Sequence, residues 1–327
     1  MIRVAGGCRP NYHCVVHVAL YFNGRLPVRH YGGSQRVVLW LAHGLAELGH
    51  TVSLLAPRGS ASPHARVVSL DPSTMRAPGF DLRPSLPAGV DVLHLHSSFA
   101  PPPGVPHLFT WHGNARPGET VPPNAVFLSA SHARKHERTA FVYNGLDPAG
   151  YRFTADKADY DLFLGRLHAV KGYRWAIAGA RLARRRLLLA GGWRLSLRTD
   201  VRYVGKVGGT RKVELLAGAR CLWMPALWDE PFGLTLIEAL ASGTPVLGTR
   251  RGALPEVVSA EVGALGDSVE ELAALRPALD RIDPGACRAR VERHFTHRVM
   301  AAEYLRMYRG LLGTGGLPEG RVIQESA

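Results

Sequence analysis

Two glutamates, Glu230 and Glu238, flank a glycine-containing turn inside the stretch from Trp223 to Val257. Apolar residues recur at helical spacing after this turn. Gly243 then stands where a left-handed residue ends a helix at least cost. The pattern therefore predicts that Glu230 precedes a helix and that Glu238 lies within it.

The predicted start of this helix has the composition of an anion-binding site. Gly233 lets the backbone approach a ligand, and the N–H groups near Leu234 and Thr235 have no partner within a helix. With the positive end of the helix dipole, they predict a phosphate site. A carboxylate on each side would repel a phosphate unless each accepts hydrogen bonds from hydroxyls. The pattern favours a ligand with polyols on both sides of a diphosphate, such as a nucleotide sugar.

The whole string resembles the signature of the retaining glycosyltransferases of family 4. It reads E-P-F-G-L-T-L-I-E-A-L-A-S-G-T-P-V, and the family pattern is E-x7-E within E-P-F-G-…-E-A-…-A-x-G-x-P-V. Further similar segments extend the resemblance from Tyr31 to about Leu312. It implies an α/β fold of GT-B architecture, in which two Rossmann-like, doubly wound parallel-sheet domains face a central cleft.

A chain of 327 residues is longer than one hydrophobic core usually supports, so two domains are expected. We predict an acceptor-side domain over residues 1–148 and a nucleotide-sugar-binding domain over residues 149–295. An amphipathic helix over about 296–315 is expected to cross back onto the first domain.

The first domain begins with the element order of a doubly wound sheet. A buried strand is predicted at 14–20, a helix from Arg36 to Leu48 and a strand from Thr51 to Ala56. The loop before the helix contains Gly32 and Gly33. By resemblance, Gly33 approaches the donor diphosphate, with Gly32 beside it.

Histidines follow several predicted elements. His94 and His96 lie at strand spacing on one face, which would suit a pair of metal ligands, but no third ligand is evident. His112 comes just after a strand, and the resemblance implies that it contacts a hydroxyl of the donor sugar. His132 and His136 share a helix face without the glutamate of a zinc-protease motif, which predicts surface residues.

Two cations follow the first strand predicted for the second domain. Arg166 and Lys171, in G-R-L-H-A-V-K-G, resemble the family's G-R-x-x-x-x-K-G with one residue fewer between them, and the family's pair holds the donor phosphates. A loop with Lys206 and Val207 matches the one that meets the base. The resemblance thus implies a catalytic set of Arg166, Lys171, Glu230 and His112, and donor binding by Gly32, Gly33, Lys206, Val207, Phe232, Gly233, Leu234, Thr235 and Glu238.

Asp159 and Asp161 form a D-x-D, which is a metal-binding motif in a different glycosyltransferase fold. Here the pair precedes a strand, Leu162 to Leu164, and would lie at the amino end of the sheet, away from the ligand. We therefore predict neither a metal nor another cofactor, and the nucleotide sugar is a co-substrate.

The composition excludes several other classes of protein. Four cysteines without C-x-x-C pairing form neither a disulfide framework nor a zinc site, and no run of eighteen apolar residues is present. These features predict a cytoplasmic protein. The net charge of +14 is spread along the chain, so no nucleic-acid partner is expected, while peripheral contact with the inner membrane face remains open.

The resemblance implies retaining, metal-independent transfer of a hexosyl-type group from a nucleoside diphosphate sugar to an acceptor hydroxyl. The sequence does not identify the acceptor, which is a small molecule, a polysaccharide or a lipid-linked compound. The alternatives are another GT-B enzyme such as a sugar-nucleotide epimerase, and a non-catalytic protein that binds nucleic acid or sugar nucleotides.

Overall fold

The first half of the chain forms a six-stranded parallel sheet in the computed structural model, which describes residues 15–28, 32–97, 99–194 and 199–324. The strand order is β3-β2-β1-β4-β5-β6. The strands are β1 (His17–Tyr21), β2 (Thr51–Pro57), β3 (Arg66–Leu70), β4 (Val92–Leu95), β5 (His107–Thr110) and β6 (Ala125–Val126). The predicted strand at 14–20 is therefore β1, and residue 14 lies outside the described ranges.

The second half forms another six-stranded parallel sheet, with the order β12-β11-β10-β7-β8-β9. Its strands are β7 (Asp161–Leu164), β8 (Leu187–Ala190), β9 (Val201–Gly205), β10 (Leu222–Met224), β11 (Val246–Gly248) and β12 (Gly263–Leu265). Two parallel sheets with flanking helices confirm the predicted pair of Rossmann-like domains in a GT-B arrangement.

Nine helices of the described residues cover these sheets. They are α1 (Gly33–Glu47), α2 (Ala130–Lys135), α3 (Tyr173–Leu182), α4 (Gly209–Gly218), α5 (Leu234–Ala241), α6 (Leu254–Val257), α7 (Val269–Leu275), α8 (Pro284–His294) and α9 (His297–Thr314). The prediction placed the start of α1 at Arg36, three residues too late. Glycine disfavours helix interiors, but at Gly33 it occupies the first turn and lies close to Leu234 of the other domain.

Helix α9 packs against the first domain. Its residues Met300, Tyr304 and Tyr308 share one hydrophobic cluster with Val37 and Leu41 of α1. The chain crosses between the domains twice, and the two crossing segments are hydrogen-bonded to each other. The Leu146 N–H donates to the Phe295 carbonyl (2.9 Å), and the His297 N–H donates to the Leu146 carbonyl (2.8 Å).

Asp161, from the D-x-D, is a structural residue at the amino end of β7. Its carboxylate is fully buried and accepts hydrogen bonds from Arg276 Nη2 (2.6 Å), Arg276 Nε (2.7 Å) and Trp223 Nε1 (2.9 Å). The side chain of Asp159 is 83% exposed. The buried carboxylate of Asp161 is thus neutralised by Arg276 within the core.

Candidate functional site

A cavity of about 280 Å³ lies between the two domains at the carboxyl ends of the central strands. The structure brings together there most of the residues predicted for the site. They are Gly33, His112, Arg166, Lys171, Glu230, Phe232, Gly233, Leu234 and Thr235. Of the other predicted residues, Gly32, Lys206, Val207 and Glu238 do not line this cavity.

The start of α5 forms one wall of the cavity. Gly233 precedes the helix with φ 85°, a left-handed conformation that strains other residues. A Cβ there would also lie 2.9 Å from the side chain of Leu236. Glycine is therefore required, and the first amides of α5, at Leu234 and Thr235, lie at the cavity with the positive end of the helix dipole.

Lys171 and Glu230 form an ion pair that also lines the cavity. Lys171 Nζ lies 2.6 Å from Glu230 Oε2, and Trp228 Nε1 donates to the same oxygen (2.9 Å). The ammonium group also lies 4.7 Å from the centroid of the Trp228 ring. Arg166 is exposed nearby and forms no ion pair with any residue in the described part of the chain. Arg166 is therefore an unpaired cation at the cavity, whereas Lys171 is paired.

Glu238 lies behind the cavity wall and is fully buried. Its Oε1 accepts hydrogen bonds from Arg36 Nη1, from Tyr151 (2.8 Å) and from Lys212 (2.9 Å). Its Oε2 has no hydrogen-bond partner among the described residues. The repulsion expected between two carboxylates and a phosphate is thus offset by cations, because each glutamate is paired with at least one.

Arg36 is a site residue that the sequence analysis missed. It lines the cavity and donates from Nε to the Gly32 carbonyl (3.2 Å) while binding Glu238. It thereby connects α1 of the first domain to α5 of the second. Its position one turn after the Gly-Gly loop is the signal from which a cation at this cavity could have been predicted.

His112 stands between this cavity and a second one. Its Nε2 lies 3.0 Å from Nδ1 of His96, and burial lowers the pKa of His112 to about 4, so the ring is neutral near pH 7. His94 and His96 share a face as predicted, with ring centroids 4.0 Å apart. His94 bonds Tyr308 and Thr110, each at 2.7 Å, so its two nitrogens are not available to a metal.

The second cavity has a volume of about 480 Å³ and lies in the first domain. His96 Nε2 is buried beside it without a hydrogen-bond partner among the described residues. Its lining is mostly polar and includes Asn23, His96, Ser97, His112, Asn114, Arg116 and Glu119. Because His112 lines both cavities, its side chain can contact a group bound in either one.

The prediction that His132 lies on the surface was wrong. The ring is 2% exposed: the Leu128 N–H donates to Nδ1 (3.3 Å), and Nε2 donates to the Gly113 carbonyl (3.0 Å). Burial lowers the pKa of His132 to about 3. His132 lies on the face of α2 that packs against the ring of Phe127, with the ring centroids 5.0 Å apart.

Comparisons with known proteins place this fold and cleft among glycosyltransferases. The family model for "Glycosyltransferase Family 4" matches residues 31–147, and that for "Glycosyl transferases group 1" matches residues 159–278. Together they cover most of both domains. The chain belongs to the GT4-type glycosyltransferases.

Two of the similar proteins named here match most of the chain, and the third matches nearly half of it. Phosphatidyl-myo-inositol mannosyltransferase of Mycolicibacterium smegmatis is 26% identical over 87% of this chain and 92% of its own length. Glycogen synthase of Mycobacterium tuberculosis is 33% identical over 46% of this chain and 41% of its own length. The crystal structure of AviGT4, a glycosyltransferase involved in avilamycin A biosynthesis, is 29% identical, with a TM-score of 0.73 over 91% of this chain and 98% of that one.

None of the described helices is both long enough and apolar enough to cross a bilayer.

Proposed function

We propose that this glycosyltransferase moves a hexosyl-type group from a nucleoside diphosphate sugar to an acceptor hydroxyl, with retention of configuration at the anomeric carbon. The observation that carries the proposal is the convergence of Arg166, Lys171 and the start of α5 on one interdomain cavity. Two cations and a helix dipole there suit a ligand that carries a diphosphate.

The donor phosphates lie between Arg166, Lys171 and the first amides of α5 in this proposal. Arg166 is already unpaired, whereas Lys171 must turn from Glu230 to the phosphate. Glu230 is then free to accept a hydrogen bond from a sugar hydroxyl. Gly33, on the opposite side, leaves room for the diphosphate because it has no side chain.

Glu238 binds the ribose in the proposal, as the family resemblance implies. Its unpartnered Oε2 supports this role, since a buried carboxylate oxygen gains most from a ligand hydroxyl. The oxygen is covered in the unliganded protein, so the donor must displace neighbouring atoms to reach it. Lys206 and Val207 meet the base, and His112 orients the sugar.

The bond between the anomeric carbon and the β-phosphate oxygen breaks as the acceptor oxygen bonds the same face of that carbon. The leaving phosphate oxygen takes the acceptor's proton, so no protein nucleophile is needed. Arg166, Lys171 and the α5 dipole stabilise the charge that develops on the diphosphate. These groups perform the task of a metal, and the proposed reaction uses no cofactor.

The acceptor occupies the second cavity in this account, where His112 contacts both substrates. The polar lining suits a hydroxylated acceptor. The mycolicibacterial relative is named for a phosphatidyl-inositol, and a net charge of +14 suits an anionic surface, so lipid-linked acceptors join sugars and small molecules as candidates. The protein would act in the cytoplasm, free or at the inner membrane face.

The proposal is tested by a thermal-shift screen of nucleotide sugars followed by donor turnover with the responsive compound. We expect one donor to raise the melting temperature and to be consumed slowly by water. Arg166→Ala should abolish both effects, and Arg202→Ala, which removes an exposed arginine from β9, should abolish neither. Donor binding without any cleavage would instead favour a sugar-nucleotide binder, and conversion of the donor to an isomer would favour an epimerase.

A further inference from the structure

Three potential metal ligands meet where the chain crosses back to the first domain. His43 and Glu47 lie one turn apart on α1, and His297 begins α9. Their ligand atoms all lie within 4.8 Å of one another. We call this group the crossing site. With a rise of about 1.5 Å per residue, His43 lies roughly 15 Å along α1 from Gly33, so the crossing site is separate from the cleft.

Gly44 allows the two helices to meet this closely. A Cβ at residue 44 would lie 2.3 Å from the carbonyl oxygen of His297 and 2.8 Å from the Cβ of Ala301. Any side chain at this position would push the start of α9 away from α1. The glycine therefore brings His297 into reach of the two ligands on α1.

In both histidines, one ring nitrogen faces Glu47. The other ring nitrogen faces an oxygen of a different residue. Nε2 of His43 lies 3.2 Å from Glu47 Oε1, and Nε2 of His297 lies 2.9 Å from Glu47 Oε2. Nδ1 of His43 lies 3.8 Å from Asp147 Oδ2, and Nδ1 of His297 lies 3.3 Å from the Leu146 carbonyl oxygen.

This arrangement leaves a neutral His297 one proton short. Carbonyl and ionised carboxylate oxygens only accept hydrogen bonds, while a neutral imidazole has one N–H to donate. In His297, one nitrogen lone pair therefore faces an oxygen lone pair, whereas Nδ1 of His43 lies too far from Asp147 for a hydrogen bond. Either a second proton on His297 or a cation between its Nε2 and Glu47 removes this conflict. Two charged rings would repel, because the centroids of His43 and His297 are 4.3 Å apart.

Two distances in the crossing site are close to those between zinc ligands. Histidines that bind zinc through one nitrogen usually donate the other N–H to a carbonyl or carboxylate, as the Leu146 carbonyl allows for His297, and the Asp147 carboxylate lies 3.8 Å from the corresponding nitrogen of His43. Ligands about 2.1 Å from a tetrahedral zinc ion lie roughly 3.4 Å apart, close to the two distances to Glu47. The side chains of Glu47 and His43 are 34% and 19% exposed, so an ion can enter from solvent.

We propose that His43, Glu47 and His297 bind one Zn²⁺ ion, with water completing the coordination. Imidazole and carboxylate ligands suit Zn²⁺, whereas Mg²⁺ prefers oxygen ligands and octahedral geometry. The ion fastens the start of α9 to α1 beside the paired chain crossings. It takes no part in glycosyl transfer, so this inference does not depend on the proposed function.

The test is calorimetric titration of the untagged full chain with ZnCl₂, with MgCl₂ as the comparison. We expect one Zn²⁺ per chain, a dissociation constant of about 10 µM or tighter, and a melting temperature that rises with Zn²⁺ concentration. Cobalt(II) in place of zinc should give the visible absorption of a tetrahedral site.

Variants identify the ligands. Glu47→Gln and His43→Asn should each weaken Zn²⁺ binding by about 100-fold or more, and Asp147→Asn by about tenfold, because it alters a ligand's partner rather than a ligand. His107→Asn, a histidine on β5, should bind as the unaltered chain does. Binding weaker than about 100 µM near pH 7.5 would overturn the proposal. So would tight binding that survives both Glu47→Gln and His43→Asn, since the ion would then lie elsewhere.

Discussion

Lys171 Nζ lies 2.6 Å from Glu230 Oε2, so the cation assigned to the donor phosphate and the carboxylate assigned to the sugar neutralise each other before a donor binds. Both side chains are largely buried, with 14% and 9% of their surfaces exposed. Their mutual attraction offsets the cost of removing two charged groups from water in a partly desolvated cavity. A nucleoside diphosphate sugar supplies a new partner for each group.

This pairing predicts coupled effects on turnover. Lys171→Met should lower kcat/KM for the donor by about 100-fold or more, because a cation at the developing phosphate charge is lost. Glu230→Gln should also lower it, and the double variant should lose less than the product of the two single effects. Steady-state kinetics of all four proteins measure the coupling. Strictly multiplicative losses would show that the two residues act separately.

The buried pair of Asp161 and Arg276 predicts a large loss of stability. Asp161→Asn should lower the free energy of unfolding by about 3 kcal/mol, because the buried guanidinium of Arg276 loses its buried counter-charge and keeps only the partly exposed Asp280. Asp159→Asn, two residues away and exposed, should change it by about 0.5 kcal/mol or less. Urea denaturation compares the two. Equal effects would contradict the structural role assigned to Asp161.

Buried neutral histidines predict that the protein loses stability in acid. The pKa values of His112 and His132 are about 4 and about 3 in the folded protein, below the usual 6.5. The unfolded chain therefore binds more protons as the pH falls below 6.5. Each histidine should lower the free energy of unfolding by about 2 kcal/mol at pH 5 relative to neutral pH. This loss grows as the pH falls further, until the pH reaches the pKa of that histidine in the folded protein.

His132→Asn isolates one of these contributions. The variant should be less stable than the unaltered chain near pH 7.5, yet its unfolding free energy should fall less steeply towards about pH 5. His168→Asn, which removes an exposed ring, is the matched control. If His132→Asn keeps the full pH dependence, burial of His132 is not its source.

Gly172 predicts a backbone requirement next to Lys171. Its φ is 70°, and a Cβ there would lie 1.7 Å from the carbonyl oxygen of Pro225. Gly172→Ala should therefore lower stability by about 2 kcal/mol or more and weaken donor binding by displacing Lys171. Gly150→Ala, with open space around the added carbon, should do neither. Melting temperature and donor titration of both variants provide the comparison.

The cavity lining could be predicted from the sequence because it consists of short motifs that directly follow strands. Arg166 and Lys171 come after β7, and Gly233 precedes α5; parallel strands bring such positions to one edge of the sheet. The helix starts were less predictable. Helix α1 begins at Gly33, three residues before the predicted start, because packing against Leu234 of the other domain overrides the low helix propensity of glycine.

Contacts between distant segments could not be predicted. Arg36 and Glu238 are 202 residues apart in the chain, and neither motif indicates the other. The burial of His132 likewise depends on the Gly113 carbonyl and on Phe127, whose ring centroid is 5.0 Å away. A pattern of two histidines one turn apart is the same on a surface helix and on a covered one. The crossing site similarly joins residues from the two ends of the chain.

Retaining glycosyl transfer is tested most directly by determining the anomeric configuration of the product. The donor found by thermal shift is incubated with the protein in the presence of methanol as a stand-in acceptor, and proton NMR follows the anomeric signals. We predict a methyl glycoside with the same anomeric configuration as the donor, formed by the unaltered chain and not by Lys171→Met. A product of inverted configuration would contradict the proposed retaining transfer, and equal turnover by Lys171→Met would contradict the proposed site.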